Sequence, residues 1–317
     1  MYNNGLVLVA HWKAAETSVT RQTFNETVAP YSTAPTHTVI ALRDIRDDDV
    51  YAVAKLADGK WWMIENLRLD YDANITTSNT QSNNSAWGGV FAGLAEPESA
   101  HFASNDTTAN SLYTTDTSST DLRIITGGSS SYYAYRFPRY NNNNTAFRVA
   151  NQTSADANIY SYGNYYTWAA AVADTTNYTT GNQSVTNTSL CPTGWHLPKG
   201  GDKSNEANNE WWNLTVNGIM NGTKPANYDS QTRLFYTGTP EGTNASKALR
   251  AYPTNLVYSG SYNSSSAHFR GTFGYYWSST VGNSYNAYYE YLDSSYVIPG
   301  TNYSGKNAGV TVRCLAD

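Results

Sequence analysis

Cys191 and Cys314 are the two thiol-bearing residues of the chain. Two thiols cannot alone complete the four-ligand shell of a structural zinc ion. They leave two readings open, a disulfide or a pair of buried free thiols. A bridge would close a loop of about 120 residues, worth roughly 4–5 kcal/mol by loop entropy. It would also imply an oxidising compartment. The five histidines, His11, His37, His101, His196 and His268, are dispersed. None has the HExxH spacing that puts two imidazoles on one helix face. His196, between Trp195 and Leu197, reads as a packed scaffold residue. Nothing resembles a nucleophile elbow. The glycine pairs at 88–89 and 127–128 lack the strand–loop–helix setting of a phosphate loop and read as turns. Asp44, Asp47, Asp48 and Asp49 could offer oxygens to Ca²⁺ but lack the EF-hand spacing, and read as a solvated hairpin turn. No catalytic residue, metal or cofactor is implied.

Recognition chemistry has a stronger signal. Residues 281–307 hold six Tyr, four Ser, four Asn and three Gly. This is the composition of an antibody paratope, where Tyr supplies rigid contact area and the small polar residues adaptable hydrogen bonds. Tyr289, Tyr291 and Asp293 alternate, so one strand face would carry all three. The expectation is that they point outward, and that alanine at Tyr289 and Tyr291 abolishes binding while the Tm stays within a few degrees. The competing reading is a solvated loop beside ordinary strand tyrosines.

These residues need elements to hold them. Residues 38–42, 50–56 and 60–64 read as a β-meander, with Asp58 and Gly59 as a two-residue turn. Residues 169–173 read as a short helix, and 204–219 as an amphipathic helix with Ser204 as N-cap and Trp211, Trp212, Leu214 and Val216 as its apolar side. Short strand and helix pieces are expected at 233–237 and 247–258. Residues 274–280 and 287–293 read as strands, and 310–315 as the last strand, with period-2 alternation. Residues 71–160, rich in Asn, Thr and Ser, read as a long polar insertion. Residues 6–12 read as one strand without a nearby partner, the end of a preceding unit spanning 1–18. Residues 19–36 read as a linker, and 37–317 as the main domain.

Charged and aromatic residues each make up 14% of the chain, against an average charged content of about 25%. The aromatic content argues for a folded, β-rich protein rather than disorder. A chain this long buries roughly 75% of the surface its unfolded form exposes. Net charge is −5 and no basic stripe is visible, so nucleic acid is not an expected partner. No apolar run reaches the length of a membrane span. The first residues do not read as a signal peptide, so export would make this chain a piece of a longer product.

The strings DIRDDDVYAVAKLADGKWWMIENLRL (44–69), CPTGWHLP (191–198), YYWSST (275–280) and VTVRCL (310–315) occur in this order. Together they resemble the Fibrobacter succinogenes major paralogous domain over roughly residues 37–317. Residues 6–12 are similar to the terminal strand of an internalin-type B repeat. The resemblance implies an α+β, C-type-lectin-like fold of the formylglycine-generating-enzyme branch, with Cys191 and Cys314 paired. A bridge would argue against the cysteine and copper chemistry of that enzyme. Calcium-dependent sugar binding is not expected either, because Pro198, Pro253 and Pro299 lack Glu-Pro-Asn-type flanks.

The resemblance further implies a protein at the cell surface or secreted, binding an unknown protein or glycan ligand. It is similar to the variable proteins of diversity-generating retroelements, in which adenines of codons near the C-terminus are rewritten. The residues that fit such rewriting are Asn283, Ser284, Tyr285, Asn286, Tyr289, Tyr291, Asp293, Tyr296, Ile298, Gly300, Thr301, Asn302, Tyr303, Ser304 and Asn307. Trp277, Leu292, Pro299, Val312 and Cys314 would be fixed scaffold. The alternatives are a non-diversified adhesion or structural domain and an enzyme of the formylglycine-generating type.

Overall fold

The alternating apolar residues of 38–64 fold as the expected meander. In the computed structural model, which describes residues 33–46, 50–67, 69, 80, 163, 165–172, 186, 188–225, 228, 236, 240–263, 266–269, 271–283, 285–306 and 308–317, β1 (Val39–Arg43) pairs antiparallel with β2 (Val50–Lys55), and β2 with β3 (Trp61–Met63). Gly59 turns the β2–β3 link at φ +79°, a left-handed angle that glycine adopts without a Cβ penalty. The strand at 6–12, residues 19–32 of the expected linker, and the 71–160 insertion apart from Thr80 lie outside the described residues.

β3 does not end the sheet. β10 (Leu315–Ala316) pairs antiparallel with β3 on one side and with β4 (Trp195–His196) on the other, giving the order β1-β2-β3-β10-β4. A second sheet, β7 (Gly274–Val281), β8 (Asn286–Leu292) and β9 (Val297–Gly305), is antiparallel throughout. β5 (Ser261–Asn263) and β6 (Ser266–His268) form a separate two-stranded ladder. Among the described residues the α-helices are α1 (Trp168–Val172), α2 (Glu210–Trp212) and α3 (Pro240–Arg250). The fold is thus α+β, with antiparallel sheets and few helices.

Successive strand residues enter two different cores. Val53, Trp61, Met63, Trp277 and Cys314 join one, with Trp168 and Trp195. Ala54, Trp62, Ile64, Tyr276 and Leu315 join the other, with Trp211 and Trp212. With both faces covered, a strand reads as a nearly unbroken apolar run, as WWMI does. Trp211 sits 5.0 Å from Trp62 and 5.9 Å from Tyr276, ring to ring, and so welds the two sheets on that side. Cys191 and Cys314 are disulfide-bonded, with S–S at 2.07 Å.

Four expectations need correction. The 204–219 segment is two elements. A 3-10 turn at Lys203–Asn208 is capped by Asp202, and a second start follows at Asn209, whose Oδ1 accepts the Trp212 N–H at 2.9 Å. Two Asx side chains thus compete with Ser204 as caps. Beyond Trp212 the helix widens to a π-helix at Asn213–Ile219, with Met220 N–H reaching Thr215 O. The 310–315 stretch is mostly extended but forms regular strand only from Leu315. Thr311 and Arg313 are buried rather than facing solvent. Arg313 donates to Asn66 Oδ1 and to the carbonyls of Met63, Thr254 and Asn255, which replace water around the charge. Asp44 is not a solvated turn residue. It is buried in a bidentate pair with Arg46, whose Nη1 also donates to Leu190 O at 2.7 Å. Asp47, Asp48 and Asp49 lie outside the described residues. Finally, the 281–307 window is not mainly loop, because β9 runs through it.

Candidate binding surface

The residues named from sequence fall on three different parts of the β7-β8-β9 sheet. At one end lies the β7–β8 turn. Asn283 Oδ1 accepts the N–H groups of Tyr285 and Asn286 at 2.8 and 2.9 Å, so this Asn builds the turn it sits in. The turn leaves the Tyr285 side chain 67% exposed. β9 ends alongside, since Asn286 pairs with Gly305, and there Tyr303 is exposed and Ser304 half-buried. Tyr303 packs edge-on against the buried Tyr288 at 5.9 Å. Lys306 lies below, its ammonium 4.9 Å from the Trp168 ring centre, and burial pulls its pKa down to about 8.

At the other end, Asp293 organises the β8–β9 turn. Its Oδ1 accepts Ser295 N–H and Tyr296 N–H, both at 2.7 Å, and its Oδ2 accepts the Tyr291 hydroxyl at 2.8 Å. Tyr296 is exposed at this end, and Ile298, opposite Tyr291, is half-buried. The two ends are separated by the length of β8, about 20 Å at strand rise.

Between them the tyrosines pack inward, which corrects the outward expectation. Tyr289 and Tyr291 do share a face, but that face lies on the first core. Tyr289 is 7% exposed and packs edge-on against Tyr275 at 5.5 Å and Trp277 at 6.2 Å. Tyr291 is half-buried, 5.3 Å from Tyr275 and 5.7 Å from Phe273. Burial, followed by the Asp293 carboxylate, pushes the Tyr291 hydroxyl far above its usual range. Burial with the same charge pushes Tyr275 up to about 12. These phenols are neutral packing groups. The physical reason is that the sheet carries aromatic rings on both faces, and each face meets a core.

Gly300 and Thr301 are also buried. β9 bulges here, so that residues 299–301 stand against Glu290 alone. Gly300 has φ +63°, and a Cβ on it would lie 2.8 Å from Asn209 Oδ1 and 2.9 Å from Trp211 Cβ. Asn209 Nδ2 donates to Pro299 O and Gly201 O, so the helix cap also fixes the bulge. Asn302, half-buried, donates to the Tyr289 hydroxyl. Ser284 and Asn307 lie outside the described residues.

Sequence reasoning missed a charged cluster at β4, the edge strand of the five-stranded sheet. His196 stands between Asp317 Oδ1 at 2.6 Å and Glu210 Oε2 at 2.9 Å, and Lys60 Nζ reaches Glu210 Oε1 at 2.8 Å. Burial opposes the imidazolium, but the two carboxylates outweigh it and push His196 up to about 9. Burial likewise opposes the Glu210 charge, and His196, Lys60 and the Lys199 N–H hold its carboxyl down at about 2. His196 is thus a scaffold residue as expected, through ion pairing rather than apolar packing. The signal available beforehand was a His inside a short polar–apolar alternation, which does not name its partners.

No group of three or more His, Cys, Asp or Glu placed to hold a metal exists among the described residues. No helix among them is long and apolar enough to cross a membrane. Comparison with family models, with curated proteins and with solved structures finds no match.

Proposed function

We propose that this chain is a binding module of C-type-lectin-like fold, displayed at the cell surface or secreted, whose contacts lie at the two ends of the β7-β8-β9 sheet. The contacting set is Asn283, Tyr285, Asn286, Tyr303 and Ser304 at one end, and Tyr296 with Ile298 at the other. The observation that carries the reading is the division within one sheet. Tyr275, Tyr288, Tyr289 and Trp277 are packed, while Tyr285, Tyr296 and Tyr303 are exposed beside polar turn residues. A stiff sheet bearing exposed tyrosines and adaptable small polar groups is the composition by which paratopes bind. The disulfide supports an oxidising, extracytoplasmic setting. Its formation leaves both cysteines without a thiol, which disfavours cysteine-based enzyme chemistry.

The exposed positions are those a mutagenic retroelement would rewrite, and Tyr289, Gly300 and Thr301 belong to the scaffold instead. The partner is a protein or a glycan. Arrays of cell-surface proteins and of glycans, probed with the intact chain, test the reading. A hit should weaken at least tenfold in the Tyr285→Ala, Tyr303→Ala double variant. Binding unchanged by that variant would refute the assignment. In the genome, a near-copy of the coding segment for 275–315, differing at adenines and lying beside a reverse-transcriptase gene, tests diversification. Lack of such a copy would leave a fixed adhesion domain.

A further inference from the structure

Glu290 occupies the middle of β8 with no solvent exposure. Its partner on β7 is Tyr276, and residues 299–301 of the β9 bulge face it from the other side. Carboxyl Oε2 accepts the Gly300 N–H at 2.7 Å. Oε1 has no hydrogen-bond partner among the described residues. Asn209 and Trp211, at the start of α2, close the pocket behind Gly300. Tyr276 is the titratable neighbour, and its hydroxyl is bonded to both the N–H and the carbonyl of Val257. Arg313 lies 5.6 Å from the Tyr276 ring centre, but its guanidinium is committed to the side chain of Asn66 and the carbonyls of Met63, Thr254 and Asn255.

A carboxylate in this place would have one donor and, among the described residues, no counter-ion, and an uncompensated buried charge is strongly disfavoured. The neutral acid fits instead, and burial pushes Glu290 well above the usual carboxylate range. Asn209 holds the bulge from the helix side through Pro299 O, and Glu290 holds it from β8 through the Gly300 N–H.

We propose that Glu290 is a pH-sensitive latch: the neutral acid closes the β8–β9 bulge, and loss of its proton opens the bulge beneath the strands that carry the surface turns. The folded acid keeps its proton to higher pH than the unfolded one. Its contribution is therefore full below about pH 4, where both states are protonated, and falls as pH rises until the folded acid itself ionises. The latch stands whether or not the turns bind a partner.

Glu290→Gln keeps the shape and cannot ionise. Its folding constant relative to wild type should rise with pH above the ordinary glutamate value of about 4.5, by up to tenfold per unit for as long as the folded acid keeps its proton. The titration of His196 is common to both proteins and cancels. A ratio that stays constant over this range overturns the proposal. Should the variant not fold, the ¹³Cδ shift of Glu290 in labelled wild-type protein decides. A titration midpoint above the ordinary glutamate value of about 4.5 supports the latch, and a midpoint at or below it removes it.

Discussion

Asn302 Nδ2 donates to the Tyr289 hydroxyl at 2.8 Å, across a register pair of β8 and β9. The bond ties the polar edge of the surface to a ring that belongs to the core. It also separates two classes of tyrosine that look alike in sequence.

That separation is measurable. Tyr289→Ala removes a ring packed on Tyr275 and Trp277 and should cost about 3–5 kcal/mol of folding stability. Tyr285→Ala should change stability by no more than about 0.5 kcal/mol, and Tyr303→Ala, which removes the ring pair with Tyr288, should cost about 0.5–1.5 kcal/mol. Urea denaturation of the three variants tests both statements. A Tyr289 variant as stable as wild type would put the ring outside the core.

Gly300 should resist substitution. Alanine there meets Asn209 Oδ1 and Trp211 Cβ at under 3 Å and strains a backbone held at φ +63°. A loss of about 1–3 kcal/mol is expected from the overlap, with the strained backbone adding to it. The thermal midpoint of Gly300→Ala reads this directly, and an unchanged midpoint would mean the bulge can relax.

The His196 cluster gives stability a bounded pH window. His196 is raised, so its contribution is full below its unfolded value of about 6.5 and is lost as pH climbs through about 9. Glu210 is lowered, so its contribution is present above about 4.5 and is lost as pH falls toward about 2. The Tm advantage of wild type over His196→Gln should shrink between pH 6.5 and 9.5. An advantage that does not vary with pH would make the ring a packing group alone.

Removing the disulfide should destabilise the domain by about 2–5 kcal/mol. The Cys191→Ser, Cys314→Ser double variant, compared with wild type in denaturant, provides the check. Equal midpoints would show that strand pairing alone holds β10 in place.

Local patterns were read well from sequence, and long-range ones poorly. The β1-β2-β3 meander was legible because Asp58 and Gly59 sit between two apolar runs. The Trp211–Val216 face was legible from its helical spacing, although Asn209 rather than Ser204 caps it. β9 was not, because Pro299, Gly300 and the Asn and Ser around them carry weak strand propensity, and pairing with β8 supplies what propensity lacks. Tyr289 was placed outside because alternation tells which residues share a face but not what covers that face. Both faces of β8 meet a core, so the period-2 argument had no solvent side to find. His196 kept its scaffold role, but its carboxylate partners lie 14 and 121 residues away, beyond any local pattern.

β10 sits between β3 and β4, and Leu315 pairs with Trp62 about 250 residues upstream. The β1-β2-β3 meander therefore waits, while about 250 further residues are made, with β3 as a bare, aromatic-rich edge. Such an edge is a template for wrong pairing between nascent chains. Contacts of this span also slow the search for the native arrangement. A chaperone acting during translation would have its main work at Trp61, Trp62 and Met63, until β10 reaches them.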